Sequence, residues 1–430
     1  MLFNSPVFIF LFLPLTLLGF FLLGTRHKRG AILWLVAASS VFYGWFRVDY
    51  LLLLFSLIVF NYICGKKLSH YHYLGRPKTS LLAMGILINL GVLCYFKYTN
   101  FLILNINGIF STSFSLRDII LPIGISFFIF QKIAYLVDAH QGKAAEYNFL
   151  DFCLFVMYFP QLIAGPIVHH HEIIPQFRQN SIFKLNPLDM TAGLMMFTIG
   201  LFKKNIIADQ LADWIDPSFS AAYQGWNLSF LESWAAALGF TLQIYFDFSA
   251  YTDMALGLAL MIGIRLPQNF NSPYKAKSII EFWRGWHMTL SRFLRDYVYI
   301  PLGGNRNKHY SNLLLTMLIG GLWHGSAWTF IFWGALHGIF LIINHSWRTL
   351  KTKMGWEAKG ISYSIACQSL TFLSVLFAWV FFRSQNFESA MIIVKGMVGF
   401  NGVTLPLNFE SKLGSLTPFL KNIMNIRFDD

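Results

Sequence analysis

The sequence predicts an all-α, polytopic membrane protein, and three observations predict it. Of 430 residues, 56% are hydrophobic and only 12% are charged, where a soluble domain carries roughly 25% charged residues. Mean hydropathy is +0.53. Apolar runs recur at 6–23, 31–46, 49–64, 80–96, 118–136, 149–167, 188–207, 232–262, 311–323, 328–345 and 361–382, and most approach the length of a bilayer crossing. The shorter ones are expected to be tilted, broken or re-entrant.

The first run, "MLFNSPVFIFLFLPLTLLGFFLLG", lacks a basic leader and is too long for a cleaved signal. It reads as a retained first helix. Arg26, Lys28 and Arg29 follow it, and the loop 65–79 holds Lys66, Lys67, Arg76 and Lys78. Placing both basic loops in the cytoplasm puts the N-terminus outside. The loop from Arg348 to Lys359, with four cations and one Glu, is then also cytoplasmic. The net charge of +13 lies largely between apolar runs, so it marks topology and contact with anionic lipids, not nucleic acid. Cys64, Cys94, Cys153 and Cys367 form no C-x-x-C pair and read as core residues. With no repeat, low-complexity tract or soluble segment, residues 1–430 are expected to be one membrane domain.

The stretch "EFWRGWHMTLSRFLRDYVYIPLGGNRNKH" differs from the spans. Trp283, Trp286, His287, Leu290, Leu294 and Tyr297 follow helical spacing and predict one apolar-aromatic face. Arg284, Arg292 and Arg295 share the other side, which predicts a helix at the interface or lining a funnel. Pro301, Gly303 and Gly304 end it.

Ionisable groups inside apolar sequence are functional candidates, because burying them is costly. His324 stands in "GGLWHGSAWTF", and no Asp, Glu, Lys or Arg occurs from Ser311 to Trp347. It is either a general base or a core histidine bonded to a backbone carbonyl. Gly320, Gly321 and Gly325 permit close backbone approach or a helix break. His287 is a second candidate, with a structural interfacial role as its alternative. In "QIYFDFSAYTDMALG", Gln243, Asp247 and Tyr251 share one helix face, and Ser249 and Asp253 form another pair. The two aspartates either line a polar path or lock helices together. His169, His170 and His171 do not by themselves converge on a metal, so no metal is expected. His337 and His345 read as core or interfacial residues. "PLGGNRNK" lacks Walker A spacing and no G-x-S-x-G elbow occurs. A buried His acting on a hydroxyl needs no protein nucleophile if the electrophile is a thioester, and the Arg stripe would suit an anionic donor.

The segments "YFPQLIAGPIVHHHEIIPQF" (158–177), "YFDFSAYTDMALGLALMIGIRLPQNFNSPY" (245–274), "EFWRGWHMTLSRFLRDYVYIPLGGNR" (281–306), "GGLWHGSAWTFIFWGALHG" (320–338) and "AWVFFR" (378–383) together resemble the membrane-bound O-acyltransferases. The alginate O-acetyltransferase-like branch is the most similar, and the motif-rich core covers about 120–400. "PLGGNR" sets the chain apart from the D-alanyl transfer proteins of teichoic acid, while peptidoglycan O-acetylation proteins share this branch. The resemblance implies a ring of about ten to twelve spanning or re-entrant helices around a central tunnel. It implies catalytic positions at His324 and His287, with Asp247, Asp253, Asn271, Arg284, Trp286, Arg295 and Trp323 binding substrate or lining the tunnel.

It further implies acetyl-CoA as a cytoplasmic donor, with no permanently bound cofactor. The expected acceptor is a cell-surface polysaccharide such as alginate, reached through a separate periplasmic acetyltransferase, and the expected location is the bacterial inner membrane. Two departures stand out: Gly285 replaces the second Arg of the usual "WRRWH" pattern, and His169 stands where an Arg is commoner. The tail after "GMVGFNGV" ends at "NIRFDD", which is read as a truncated or divergent C-terminus. The alternatives are peptidoglycan O-acetylation, D-alanyl or other acyl transfer, and, from another class, a polysaccharide or lipid transporter using Asp247 and Asp253.

Overall fold

A computed structural model of the chain describes residues 1–144, 147–356, 360–414, 417, 421 and 426–429. Glu357 and Lys359 of the basic loop, and the final Asp430, lie outside the described residues. A π-helical turn (Phe8–Phe12) leads into α1 (Leu13–Arg26), followed by α2 (Lys28–Gly44) and α3 (Asp49–Tyr73). α4 (Thr79–Leu93) and α5 (Thr99–Phe110) are joined by a π turn. Next come α6 (Ile125–His140), α7 (Phe149–Met157), α8 (Phe159–Leu162), α9 (His170–Phe177), α10 (Pro187–Phe202), α11 (Asp209–Tyr223) and α12 (Phe230–Met261). The short α13 (Ile279–Gly285) and α14 (Met288–Leu294) precede α15 (His309–His324), α16 (Trp328–Lys353), α17 (Ile361–Arg383) and α18 (Phe387–Met397). Strands β1 (Val403–Pro406) and β2 (Ile426–Asp429) pair in parallel, with α19 (Asn408–Leu413) in the connection. Among the described residues, Phe8–Arg26, Asp49–Tyr73, Thr79–Phe110, Trp328–Lys353 and Ile361–Arg383 are long and apolar enough to cross a membrane. The protein is an all-α, multi-pass membrane protein.

Four expected segments differ from what forms. The run 118–136 becomes helical only at Ile125, because Gly124 adopts φ +74 and its Cβ position lies 2.8 Å from the Leu162 carbonyl. The run 149–167 breaks at Tyr158 (ψ 108), ahead of Pro160; the Phe159 amide at the break bonds to Ser39 Oγ at 3.2 Å. The run 188–207 leaves α-geometry at Phe202 and passes through a π turn, Lys203–Ala208. The predicted continuous amphipathic helix breaks at Trp286–His287, where His287 takes φ +41. Trp283 and Tyr297 therefore do not share a single helix face, and the Arg stripe is interrupted.

The described residues pack as two compact units: 1–204 with 249–269 and 287–293, and 205–248 with 270–286 and 294–430. In the first, small residues let helices close up. The Cβ positions of Gly193 and Gly257 would each fall within 2.6 Å of the other's carbonyl oxygen, bringing α10 against the end of α12. Buried Asn61 and Asn89 exchange amide hydrogen bonds of 3.1 and 2.8 Å, linking α3 to α4. In the second, α15 and α16 form an antiparallel hairpin whose backbones touch. Cβ atoms on Gly321 and Gly334 would lie 2.3 Å from the carbonyl oxygens of Phe330 and Met317. Trp286, Trp333, Trp379, Phe282 and Phe381 form its buried aromatic core.

Candidate active site

In the first unit, His287 stands just ahead of α14 with φ +41. A buried residue with positive φ costs about 1–3 kcal/mol, so the surroundings must hold it. Asn269 does this twice. Its carbonyl accepts the Met288 amide at 2.9 Å, and its side-chain Oδ1 lies 3.0 Å from His287 Nδ1. The same Oδ1 accepts from the Thr289 amide at 3.2 Å and from Thr289 Oγ1 at 2.9 Å. A backbone N–H can only donate, so this atom is oxygen, and His287 Nδ1 must carry the proton. The neutral ring therefore presents its lone pair at Nε2. Thr289 Oγ1 in turn accepts the Ile167 amide at 3.0 Å. Nearby, Arg292 grips Glu172 with two bonds of 2.6 and 3.0 Å. Burial works to raise the Glu172 carboxyl, but bonds from the His169 amide and from Arg292 outweigh it and hold the group below the usual carboxylate range.

The second unit holds His324, the last residue of α15, just before the turn at Gly325. Gly325 has no room for a side chain, since its Cβ would lie 2.1 Å from the Phe330 ring. The imidazole is half-buried and ringed by aromatics. The centroids of Trp323, Trp333 and Phe382 lie 4.8, 5.1 and 5.2 Å away, all edge-on. Farther along α16, His337 Nδ1 accepts from Trp283 Nε1 at 3.3 Å, which places the His337 proton on Nε2. Among the described residues, neither that Nε2–H nor the Trp333 Nε1–H finds an acceptor. Two buried donors of this kind need a polar guest or water.

The remaining expected positions divide. Trp323 and Trp286 are buried; Trp323 touches His324, while Trp286 stacks in the core on Phe282 and lies tilted against Trp379. Arg295 is largely exposed and tied to its neighbour Asp296 at 2.7 Å. Arg284 is exposed and lines a pocket with other cations. Asp253 pairs with Lys203 at 2.6 Å, the helix-locking arrangement, while Asp247 is half-buried on the earlier part of α12.

Asn271 is exposed and bonds through its backbone amide to the Gly285 carbonyl at 2.9 Å. The residue holding His287 is Asn269, two positions earlier in "PQNFNSPY". Gly285 is explained by the same stretch: a Cβ there would lie 2.7 Å from the Asn271 carbonyl oxygen.

Among the three adjacent histidines, His170 and His171 do converge once Asp138 is added, with ligand atoms within 4.8 Å. Both His170 nitrogens are hydrogen-bonded, to Asp138 at 3.1 Å and to Tyr147 at 2.9 Å. All four cysteines are free.

Residues 35–390 match the model of MBOAT, the membrane-bound O-acyltransferase family. The chain is 46% identical to the peptidoglycan O-acetyltransferase of Helicobacter pylori over 94% of its own length and 81% of that protein's. It is 42% identical to the "Probable alginate O-acetylase AlgI" of Azotobacter vinelandii, over 97% and 82%. A teichoic acid D-alanyltransferase of Streptococcus thermophilus is 28% identical over 55% and 60%. This chain belongs to the membrane-bound O-acyltransferase family and is an acyltransferase.

Proposed function

We propose that the protein is the membrane O-acetyltransferase component of cell-surface polysaccharide modification, with His324 as general base. The observation that carries this is the placement of a half-buried imidazole at the end of α15, walled by aromatic edges and accompanied by two buried N–H donors that find no acceptor among the described residues. In the proposed reaction, an acceptor hydroxyl oxygen attacks the acetyl carbonyl of acetyl-CoA while His324 takes the hydroxyl proton. The C–S bond breaks, and the leaving coenzyme A thiolate recovers that proton from the imidazolium. The Trp333 and His337 donors are suited to the carbonyl oxygen as it gains charge. The aromatic wall keeps out water that would waste the thioester. No resident cofactor or metal is required.

In this reading the chain lies in the bacterial inner membrane among anionic lipids, N-terminus outside. The donor arrives from the cytoplasm, and a periplasmic acetyltransferase completes delivery to a polysaccharide such as alginate. Peptidoglycan is the second acceptor to consider, favoured by the 46% identity to the Helicobacter protein.

The test is acetyl transfer from labelled acetyl-CoA in proteoliposomes, with mass spectrometry of the product. A His324→Ala protein that inserts normally and still transfers acetyl at the wild-type rate would remove His324 as the base. A product carrying D-alanine would remove the acetyl reading.

A further inference from the structure

Within the second unit, α13, the last turns of α16 and the start of α17 enclose a pocket of about 410 Å³. Four cations line it: Lys277, Arg284, Arg348 and Lys351. One carboxylate, Glu281, shares the wall, and its Oε2 is occupied by the Lys277 backbone amide at 2.9 Å. Among the described residues, none of the four cations has an ion-pair partner. Lys351 instead rests over the Tyr363 ring at 4.8 Å. Asn344 adds a buried side-chain Oδ1 without a hydrogen-bond partner among the described residues. Like charges gathered around a concavity repel one another and focus a positive potential into it.

We propose that this pocket is a binding site for a phosphate-bearing anion. Arg284 and Arg348 offer planar forks that match phosphate oxygens two at a time, and Lys277 and Lys351 add point charges. Two sources supply that chemistry: the phosphates of a coenzyme A donor and the headgroup of an anionic lipid. The first rests on the acetyl-transfer reading above. α16 has 26 residues, about 39 Å against a hydrocarbon core of about 30 Å, so its Arg348–Lys351 end reaches the interface. Asn344 is eleven positions beyond Trp333, about 16 Å along the helix. Trp333 touches His324, so a donor anchored by its phosphates would extend its pantetheine arm toward the imidazole.

The experiment uses the full chain in phosphatidylcholine nanodiscs, titrated with coenzyme A and with phosphate-free pantetheine. A second arm measures melting temperature with and without phosphatidylglycerol. Both compare wild type with R284Q/R348Q and with the charge-retaining R284K/R348K. The expected result is that coenzyme A binds more tightly than pantetheine, that the Gln pair loses this advantage by at least about tenfold, and that the Lys pair keeps most of it. Unchanged coenzyme A affinity with loss of the phosphatidylglycerol stabilisation also supports the pocket and assigns it to lipid. A Gln pair matching wild type in both arms overturns the proposal. If wild type itself binds no coenzyme A, the acetyl-CoA reading fails, and the lipid arm alone judges the pocket.

Discussion

His287 and His324 carry the same imidazole in opposite settings. His287 is almost fully buried, at 1% exposure, and one ring nitrogen is pinned by an asparagine oxygen that also organises Thr289. His324 is half-buried, stands at a helix end, and has the edges of Trp323, Trp333 and Phe382 around its ring. The first setting fixes a tautomer and a ring orientation. The second sets the ring among aromatic edges at the end of a helix. A base must be approached by its substrate, so under the proposed reaction the more exposed His324 is the one to test first as the base, with His287 tested as the residue that positions.

That contrast is broken most directly at His324. His324→Ala is expected to lower acetyl transfer roughly 10²–10⁴-fold with insertion unchanged, measured in proteoliposomes. Asn269→Ala comes next. It strips His287 of its tautomer-fixing partner and leaves Thr289 short of an acceptor, a loss of roughly 1–3 kcal/mol. Transfer should fall about tenfold or more, and the pH–rate profile should shift, which a merely structural loss would not produce. Trp333→Phe keeps the aromatic wall but deletes one N–H. Its expected cost is about tenfold in kcat with little change in KM, as for a bond made mainly in the transition state.

The smallest effect is expected at Glu172→Gln. The native carboxyl is held below its usual range, so its stabilising contribution is present above the unfolded-state carboxylate range and fades as pH falls through the depressed value. The Gln variant should therefore melt lower near neutrality, by a few degrees, with the difference closing in acid. Equal melting temperatures across that range would show that the Arg292 pair holds nothing in place.

Much of this was legible in the sequence. The crossing helices followed from run length, and His324 stood out because thirty-odd residues around it carry no charge. The break at Trp286–His287 was not legible. Its apolar spacing fits an unbroken helix, and what overrides that spacing is the distant segment 269–271, which takes up the freed backbone groups. For the same reason the sequence did not single out Asn269 as the partner of His287. Asp253 was visible as a costly charge, but its partner Lys203, at the start of the π turn after α10, lies fifty residues away in the chain. Long-range pairing leaves no periodic trace, so these residues needed coordinates.

The seam between α15 and α16 has one further consequence. Where Gly321 and Gly334 meet, main chain lies against main chain, so the hairpin cannot slip by a notch without collision. It works as a ruler that fixes where the end of α15, and with it the imidazole, stands along α16. A codon-by-codon survey of tolerance should find these two hydrogen-only positions about as unforgiving as the histidine they level.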